Sequence, residues 1–582
     1  MAGRGDLVST DRLAVAHVLE QIAGHLELKG ENPFRVRAFR TAAKAIMGLP
    51  VAVEDAVADG SLAEVRGIGP ATLSIVKEFL ETGHSRVLEE LRREIPPGLL
   101  DMLAIPGLGI TRIRTVHETL KIDSIPALEA AARDGRLATL PGLGPKTAEK
   151  VLKGIGFVRG KRAFQLPSLA ARQAEVLRAT LTAIPGVRRV VTAGDLRRRS
   201  ELVGELVFVV DAGDAAPAGI LGALRSFPGI TGVAGSERQA GFRIADGMKA
   251  RVLVSASAGF GAALVQGTGS EAHLELLAAP AGNRGLTLEG GELRRGSELI
   301  PAPEEDDLYR ALDLPVIPPE LREGLDEVAL AGWGNLPCLV ERSDLAGVLH
   351  CHSTYSDGTA GIEELAAACR DAGYEYLGLT DHSQAAAYAG GLRAEDLLRQ
   401  WEEIDRLNAA RSGTRVLKGI EADILGNGQL DYDDATLAGF EFVIGSVHSR
   451  LGMDEPEMTA RLLQALDHPA LTILGHPTGR LLLSREPSRL DLDRLFARAA
   501  ERGVALEING DPHRLDLDWR LVRRAREHGV MISIGSDAHG IDGIAHMENA
   551  LAMARKAGLT AGEVLNTRTA DEFLDFARAR RS

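Results

Sequence analysis

Nine side chains of the kinds that hold divalent cations recur along the C-terminal part of this sequence: His350, His352, Asp357, His382, Glu421, His448, His476, Asp537 and His539. One such histidine alone would be an ordinary core or capping residue. Position sets these apart, because nearly every one closes an apolar, strand-like run. Imidazole with carboxylate, without thiolate, suits zinc, manganese or iron. Nine ligands exceed what one ion takes, so two or three divalent ions are expected, bridged by carboxylates such as Glu421 or Asp537. Such ions lower the pKa of a bound water and bind phosphate oxygens, which is the chemistry of phosphoester hydrolysis. Lys418, Arg450 and Arg480 lie near these positions in the chain and are candidates to clamp the phosphate, although ordinary ion pairs account for them equally well. Asn509 also ends a strand-like run and is expected to orient a ligand rather than bind metal.

The elements that must position these residues are legible from Gly347 onward. The runs GVLHCH, YLGLTDH, RVLKGIEAD, FVIGSVH, LTILGH, VALEIN and VMISIGSDAH alternate with amphipathic stretches such as GIEELAAACRDAG and LDRLFARAAERG. That alternation predicts parallel βα units, and seven in series predict a closed barrel. Loops at the C-terminal rim of such a barrel converge on one mouth. His350 and His352 stand two apart on a strand, so both imidazoles are expected on one side, as are Asp537 and His539. Cys351, between the two histidines, is expected to point away as a buried apolar thiol.

At 582 residues the chain is too long for one core. It is 45% apolar and 25% charged, with no apolar run long enough to span a bilayer. The start, MAGRGDLVSTDRLAVAH, lacks the apolar core of a signal peptide, so a cytoplasmic, nucleoid-associated protein is expected. Cys338, Cys351 and Cys369 are too few and scattered for a disulfide framework or a thiolate zinc site. The net charge of −14 is uneven: residues 1–200 carry 30 Lys and Arg against 22 Asp and Glu, while 201–582 carry 37 against 59. A basic front half suggests a polyanion partner, and an acidic back half suits sequestered cations.

The basic half holds three related turns: Arg66-Gly67-Ile68-Gly69-Pro70, Pro106-Gly107-Leu108-Gly109, and Pro141-Gly142-Leu143-Gly144-Pro145-Lys146. Each opens a helical stretch. Glycines two apart make a tight hairpin and leave backbone N–H groups free at a helix N-terminus, which favours a phosphate oxygen and reads no bases. Three copies in a basic region predict helix-hairpin-helix binding of DNA. Upstream, LELKGENPFRVRAFRTAAKAI reads as a loop and an amphipathic helix carrying Arg35, Arg37, Arg40 and Lys44.

That stretch resembles the small N-terminal domain of family X DNA polymerases, which grips the 5′ phosphate at a gap. The position of that family's Schiff-base lysine falls at Ile75, with Lys77 out of register, so sugar-phosphate lyase chemistry by that route is not expected. Further on, RRVVTAGDLRRRSELVGELVFVVDA reads as strand, glycine turn, basic segment and strand. It is similar to the family's G-S-x-R-R-G-x-E-x-x-G-D-x-D motif, whose two aspartates hold the magnesium pair. Aligned on Gly194, Arg197, Arg198, Glu201 and Gly204, those aspartates become Glu205 and Val207, the triphosphate-binding serine becomes Asp195, and the third carboxylate becomes Arg251. The aromatic pair before TGS becomes Gln266-Gly267. Two-metal phosphoryl transfer needs carboxylates at those places, so the polymerase site is expected to be inactive.

The pattern HxH…D…TDH…E…SVHS…GHP…SDAH resembles the polymerase-and-histidinol-phosphatase (PHP) domain, and the whole chain resembles bacterial family X polymerases with that domain at the C-terminus. The resemblance implies a multidomain fold of all-α helix-hairpin-helix domains, an α+β nucleotidyltransferase-like palm and thumb, and a C-terminal α/β (βα)7 PHP barrel. The implied boundaries are 1–90 and 91–165 for two helix-hairpin-helix domains, 166–258 for the palm, 259–335 for the thumb and 342–582 for the barrel. It implies manganese-stimulated 3′–5′ exonuclease activity, with abasic-site endonuclease or 3′-phosphatase activity in some members, on gapped, abasic or 3′-ended DNA. No membrane partner is expected, and a monomer is. Two alternatives stand beside this reading: an active DNA polymerase with an unorthodox metal site, and a small-molecule phosphatase tethered to DNA. The stretch from Pro318 to Gly332 is expected to act as a hinge.

Overall fold

The computed structural model describes residues 8–581, apart from 48–52, 66, 83, 104, 106–107, 163, 214–217, 227–229, 237, 245–246 and 411–413. Arg66, Pro106 and Gly107 of the glycine turns lie outside the described residues, as does the side chain of Lys44. Two compact units are present, Met1–Ala163 and Phe164–Ser582. Among the described residues no helix is long and apolar enough to cross a membrane.

The first unit is all helical, with two apolar clusters. Leu19, Ile22, Phe39 and Val76 belong to one, and Met102, Ile113, Leu128 and Val151 to the other. Each glycine turn is followed at once by a helix: Pro70–Thr82 after Gly69, Ile110–Leu120 after Gly109, and Pro145–Arg162 after Gly144. Gly67 has φ +103, and a Cβ there would lie 2.8 Å from Thr41 Cγ2, so glycine lets this turn back onto the helix Pro33–Met47.

The second unit begins with a five-stranded sheet, β1 (Arg189–Ala193), β2 (Glu205–Asp211), β3 (Thr231–Ser236), β4 (Gln239–Arg243) and β5 (Lys249–Ser255). Its order is β1-β2-β5-β4-β3, with β2 and β5 parallel and the other neighbours antiparallel. A small antiparallel sheet follows, β6 (Thr287–Glu289), β7 (Glu292–Arg295) and β8 (Glu298–Ile300). Glu305 ties the two layers together: it takes hydrogen bonds from Arg197 at 2.7 and 2.7 Å and from Arg322, a buried residue, at 2.6 Å.

The barrel comprises β9 (Gly347–Cys351), β10 (Tyr376–Leu379), β11 (Arg415–Asp423), β12 (Phe442–Ser446), β13 (Ile473–Leu474), β14 (Ala505–Asn509) and β15 (Ile532–Ala538), all parallel and closed through β15 onto β9. Period-two alternation sorts its side chains. On β11, Leu417 faces the barrel floor, Gly419 follows and Glu421 stands at the rim. Phe442 fills the floor, and it does so where Gly378 and Gly419 leave room; a Cβ at Gly378 would lie 2.8 Å from its ring. Phe573, from the helix Ala570–Ala579, closes the bottom with its ring 5.1 Å from that of Phe442.

The stretch from Pro318 to Gly332 is fastened to the barrel, which corrects the expectation of a hinge. Glu320 pairs with Arg555 at 2.8 Å, Asp326 pairs with Arg523 at 2.7 Å, and Glu323 receives the buried Lys556. From the connection leading into β2, Glu201 accepts hydrogen bonds from Trp519 Nε1 at 3.0 Å and Arg520 at 2.6 Å. Lys556 also donates to the Arg198 carbonyl at 3.0 Å.

Burial opposes ionisation of Glu305, but the guanidinium hydrogen bonds from Arg197 and Arg322 outweigh it and hold its pKa down to about 2. A depressed carboxylate contributes stability that is complete above its ordinary pKa and is lost as pH falls toward the folded value. The shift corresponds to about 3 kcal/mol. A Glu305→Gln variant should therefore unfold at lower denaturant than wild type at pH 7, and the gap should narrow as pH drops from 4.5 toward 2. Parallel unfolding curves across that range are the check.

Candidate metal centre

All nine ligand-type residues named from the sequence come together at the C-terminal rim of the barrel. Their ligand atoms form four overlapping groups, within each of which they lie no more than 4.8 Å apart: His352, Asp357, His382 and His539; His350, His476 and Asp537; His350, His352 and Glu421; and His382, Glu421 and His448. Glu421, only 1% exposed, is the hub. Its carboxylate lies 2.9 Å from His382 Nδ1, 3.0 Å from His476 Nε2, 3.2 Å from His350 Nε2 and 3.3 Å from His448 Nε2. Asp537 is the second junction, 3.3 Å from His352 Nε2 and 3.7 Å from His350 Nε2.

The local backbone explains how the rings meet. His350, His476 and Asp537 have φ of 63, 25 and 50, a left-handed conformation that costs energy for residues with a Cβ. On β9, strict alternation from Leu349, which faces the floor, would turn His350 outward. Instead the register with β10 shifts between Val348 and Cys351, a bulge at His350 that aims both His350 and His352 into the mouth, their rings 5.3 Å apart. β15 shows a matching irregularity against β9, between Gly535 and Ala538. Cys351 packs outward in the core, with Sγ 3.2 Å from Ser536 Oγ, and burial pushes its thiol up to about 12.

A surrounding layer of buried polar groups fixes these rings, and of them only Asn509 was named from the sequence. Glu507 Oε1 lies 2.5 Å from His350 Nδ1, and its other oxygen accepts the His476 N–H at 2.6 Å. Asp423 accepts from His448 Nδ1. Asp381 accepts from Ser353, Ser356 and Gln400 and so holds the loop that leads to Asp357. Asn509 donates to Asp537 Oδ2 at 3.0 Å. The signal for Glu507 was present in the sequence: it stands two before Asn509 on β14, on the same inward face.

The electrostatics call for positive charge. Burial alone would keep His350 neutral, but Glu507, Glu421 and Asp537 raise its pKa well above the ordinary histidine range. Burial likewise opposes protonation of His448, yet Glu421 and Asp423 bring it up to about 10. Glu421 and Asp537 are buried, which disfavours their charge, and the facing histidines hold both well below the ordinary carboxylate range. Meanwhile His476 Nδ1 is buried without a partner, and His350 Nε2, both ring nitrogens of His352 and His382 Nδ1, though some lie close to a carboxylate, are buried without a hydrogen bond of proper geometry. Unpaired buried nitrogens beside ionised carboxylates are what a metal cluster needs, and the donor set fits divalent cations.

Two of the three phosphate candidates are committed elsewhere. Lys418 is three residues from Glu421 and so faces outward, where it pairs with Asp405 on the helix Ala394–Ala409 at 2.6 Å. Arg480 is nearly buried and donates to the carbonyls of Arg514 and Leu515 and to Asp518, fixing the loop after β14. Arg450 is exposed and lies over Gly426. The cation that does reach the cluster is Arg514, whose Nε lies 3.4 Å from Asp537 Oδ2. It sits in a loop, outside the strand-end pattern.

In the five-stranded sheet, Val207 is buried and pairs in register with Arg251, while Arg251 Nε lies 3.0 Å from Glu205 Oε2. Asp195 accepts from the Gly204 N–H at 2.9 Å and from Arg198 at 2.6 Å. Arg198 also meets Glu323 at 3.0 Å and the Thr268 carbonyl at 2.6 Å. In the first unit, Gly69, Gly109, Gly142 and Gly144 have open space where a Cβ would be, and Lys146 is exposed. Arg40 is held by Glu27 and lies 3.9 Å from Glu20, and Arg35 lies 3.6 Å from Glu31. Ile75 is buried, and Lys77 is exposed on the same helix, Pro70–Thr82.

Comparison with known families matches each region. Residues 11–85 match a helix-hairpin-helix domain, 99–156 a SAM-like helix-hairpin-helix tandem, 263–323 the DNA polymerase beta thumb and 349–511 the PHP domain. Fold and rim together define a multidomain protein of family X polymerase architecture ending in a PHP barrel. The DNA polymerase/3′-5′ exonuclease PolX of Bacillus subtilis is 35% identical over 569 residues, covering 95% of this chain and 97% of that protein. The chain belongs to the bacterial PolX family. Part of it is also similar to a "Probable phosphatase" of Syntrophotalea carbinolica, 28% identical over 165 residues (28% of this chain, 64% of that protein), and to one of Shewanella sp. (strain ANA-3), 28% identical over 168 residues (28% and 60%).

Glu507 orients His350 and His476 from behind, and losing such a partner typically lowers metal affinity roughly 10- to 100-fold. A Glu507→Gln variant should show that loss in a manganese or zinc titration, while Lys418→Ala, altering a side chain outside the mouth, should titrate as wild type.

Proposed function

We propose that the chain is a DNA-repair nuclease whose barrel hydrolyses phosphodiester bonds at 3′ ends, whose glycine turns hold DNA by its backbone, and whose polymerase frame is silent. The observation that carries this reading is the convergence of Glu421, Asp537 and six histidines at one barrel mouth, joined in one chain to helix-hairpin-helix turns. The relative from Bacillus subtilis, whose name states both polymerase and 3′-5′ exonuclease, supports the substrate class.

The proposed ligands are His350, His352, Asp357, His382, Glu421, His448, His476, Asp537 and His539, holding two or three ions of manganese, zinc or iron. When bound, such ions supply an activated water at neutral pH and charge stabilisation for the phosphate oxygens. The chain's own residues do the rest. Glu507 and Asp423 hold His350 and His448 by their Nδ1 atoms, leaving each Nε2 facing Glu421. Arg514 offers its remaining guanidinium donors to a phosphate oxygen, in the fork geometry that suits such anions. Arg450, exposed beyond β12, remains a candidate for the same anion.

Silence of the palm rests on its charges. Arg251 stands where a carboxylate would and is paired with Glu205, and Val207 offers no ligand. Among the described residues, the groups of three or more ligand-type side chains all lie in the barrel. Asp195 occupies Arg198, a cation that would otherwise meet a triphosphate. The domain boundaries given above, 1–90, 91–165, 166–258, 259–335 and 342–582, are proposed with this division of labour.

A 5′-labelled primer on a gapped template with manganese, with and without four dNTPs, tests the reading. Expected is a ladder of shortened primers, indifferent to dNTPs and lost in His352→Ala. Extension that depends on dNTPs and vanishes in Glu205→Ala would establish a working polymerase; release of inorganic phosphate from small esters without DNA shortening would establish a tethered phosphatase. For the DNA grip, Lys146→Ala should weaken binding about equally across sequences and lower the slope of log K against log salt by about 1. Binding isotherms at several salt concentrations check it.

A further inference from the structure

Between His382 and the helix Ala394–Ala409 the chain runs Ser383-Gln384-Ala385-Ala386-Ala387-Tyr388-Ala389-Gly390-Gly391-Leu392. From Ala385 to Gly391 it is alanine and glycine except for one aromatic ring. The loop is closed by pairing of Ser383 with Leu392. The Ala386 N–H meets the Ser383 carbonyl at 3.0 Å, the Gly391 N–H meets the Ala386 carbonyl at 3.1 Å, and the Leu392 N–H meets the His382 carbonyl at 2.9 Å. Asp431 accepts the Ala385 N–H at 2.7 Å. Ala386, Ala389 and Leu392 are buried, and a Cβ on Gly391 would run into the Ser383 carbonyl. Gly390, at φ +70, abuts the Ser356 carbonyl, next to Asp357.

This fastened loop leaves Tyr388 74% exposed, with its ring centroid 6.3 Å from that of His382. A single exposed aromatic is ordinary on a protein surface. One held by a rigid loop against the rim of the ligand cluster, among side chains too small to cover it, has a place in substrate binding. A flat ring can stack on any nucleobase, because every base has a π-face. The alanine and glycine side chains that flank the ring offer no base-edge contacts, which suits an enzyme that must accept all four bases.

We propose that Tyr388 is the stacking platform for the nucleobase at the 3′ end, holding the terminal nucleotide while its phosphate lies at the cluster. This positioning role rests on the nuclease reading above. Stacking on one aromatic side chain corresponds to roughly a 5- to 100-fold effect on binding. It acts equally on bound substrate and transition state, so its loss raises KM and spares kcat.

The test compares wild type, Tyr388→Ala and Tyr388→Phe on two 5′-labelled oligonucleotides, one with a normal 3′ nucleotide and one whose terminal sugar lacks a base. Manganese content is measured for each protein. Expected is a KM raised within the range above for Tyr388→Ala on the normal end only, unchanged kcat and metal content, and recovery in Tyr388→Phe. Equal KM for wild type and Tyr388→Ala on the normal end would overturn the stacking role, as would a loss of the same size on both ends. A wild-type protein that shortens neither oligonucleotide would instead sink the nuclease reading itself, and the stacking role with it.

Discussion

A carboxylate buried among imidazoles from several strands is the constraint on which the barrel is built. Glu421 reaches His350, His382, His448 and His476 within 3.3 Å, and these come from four separate strands or strand ends. An isolated buried carboxylate is expensive, and so is an isolated buried imidazolium. Neither can be removed alone without stranding the other. The floor beneath must therefore be dry and rigid, which Phe442 and Phe573 provide. The rim must bend, and the left-handed His350, His476 and Asp537 are where it does.

Much of this is legible in the sequence. Seven strand runs and nine ligand-type residues could be read because a βα barrel alternates at a fixed period and gathers its loops at one rim. What alternation could not supply was the bulge at His350. Counted from Leu349, the same rule that pairs His350 with His352 sends both outward, and only the register shift against β10 reconciles them. Lys418 shows the opposite failure. Proximity in sequence to Glu421 suggested a shared task, but three residues along a strand is an odd step and leads to the other face. Arg480 and Arg514 illustrate loops: nothing in the spacing distinguishes the arginine that holds a loop from the one that the loop presents.

The polymerase-like frame is a case of residues kept and partners exchanged. Arg197 and Arg198 stand where the family motif has them. Their guanidinium groups meet Glu305, Asp195 and Glu323, all within the chain. The motif alignment placed Val207 and Arg251 at carboxylate positions as an expectation; that Arg251 lies against Glu205 followed only once β2 and β5 proved to be neighbours in register.

The clasp of Glu201 on Trp519 and Arg520, with Lys556 buried beside them, bears on how this chain can be divided. Trp519 is a core residue of the barrel's outer layer, and its indole N–H finds its acceptor in Glu201, in the connection leading into β2. Lys556 lies 5.0 Å from that same ring and finds its partners on Arg198, Glu320 and Glu323. A barrel excised at its own first strand would surrender a tryptophan and a lysine to solvent, one greasy and one stripped of its counter-charge, on a face meant to be covered. Gene fragments that keep the sheet attached therefore leave both side chains covered, and the sheet acts as a fitted cover on the barrel's flank whatever else it does.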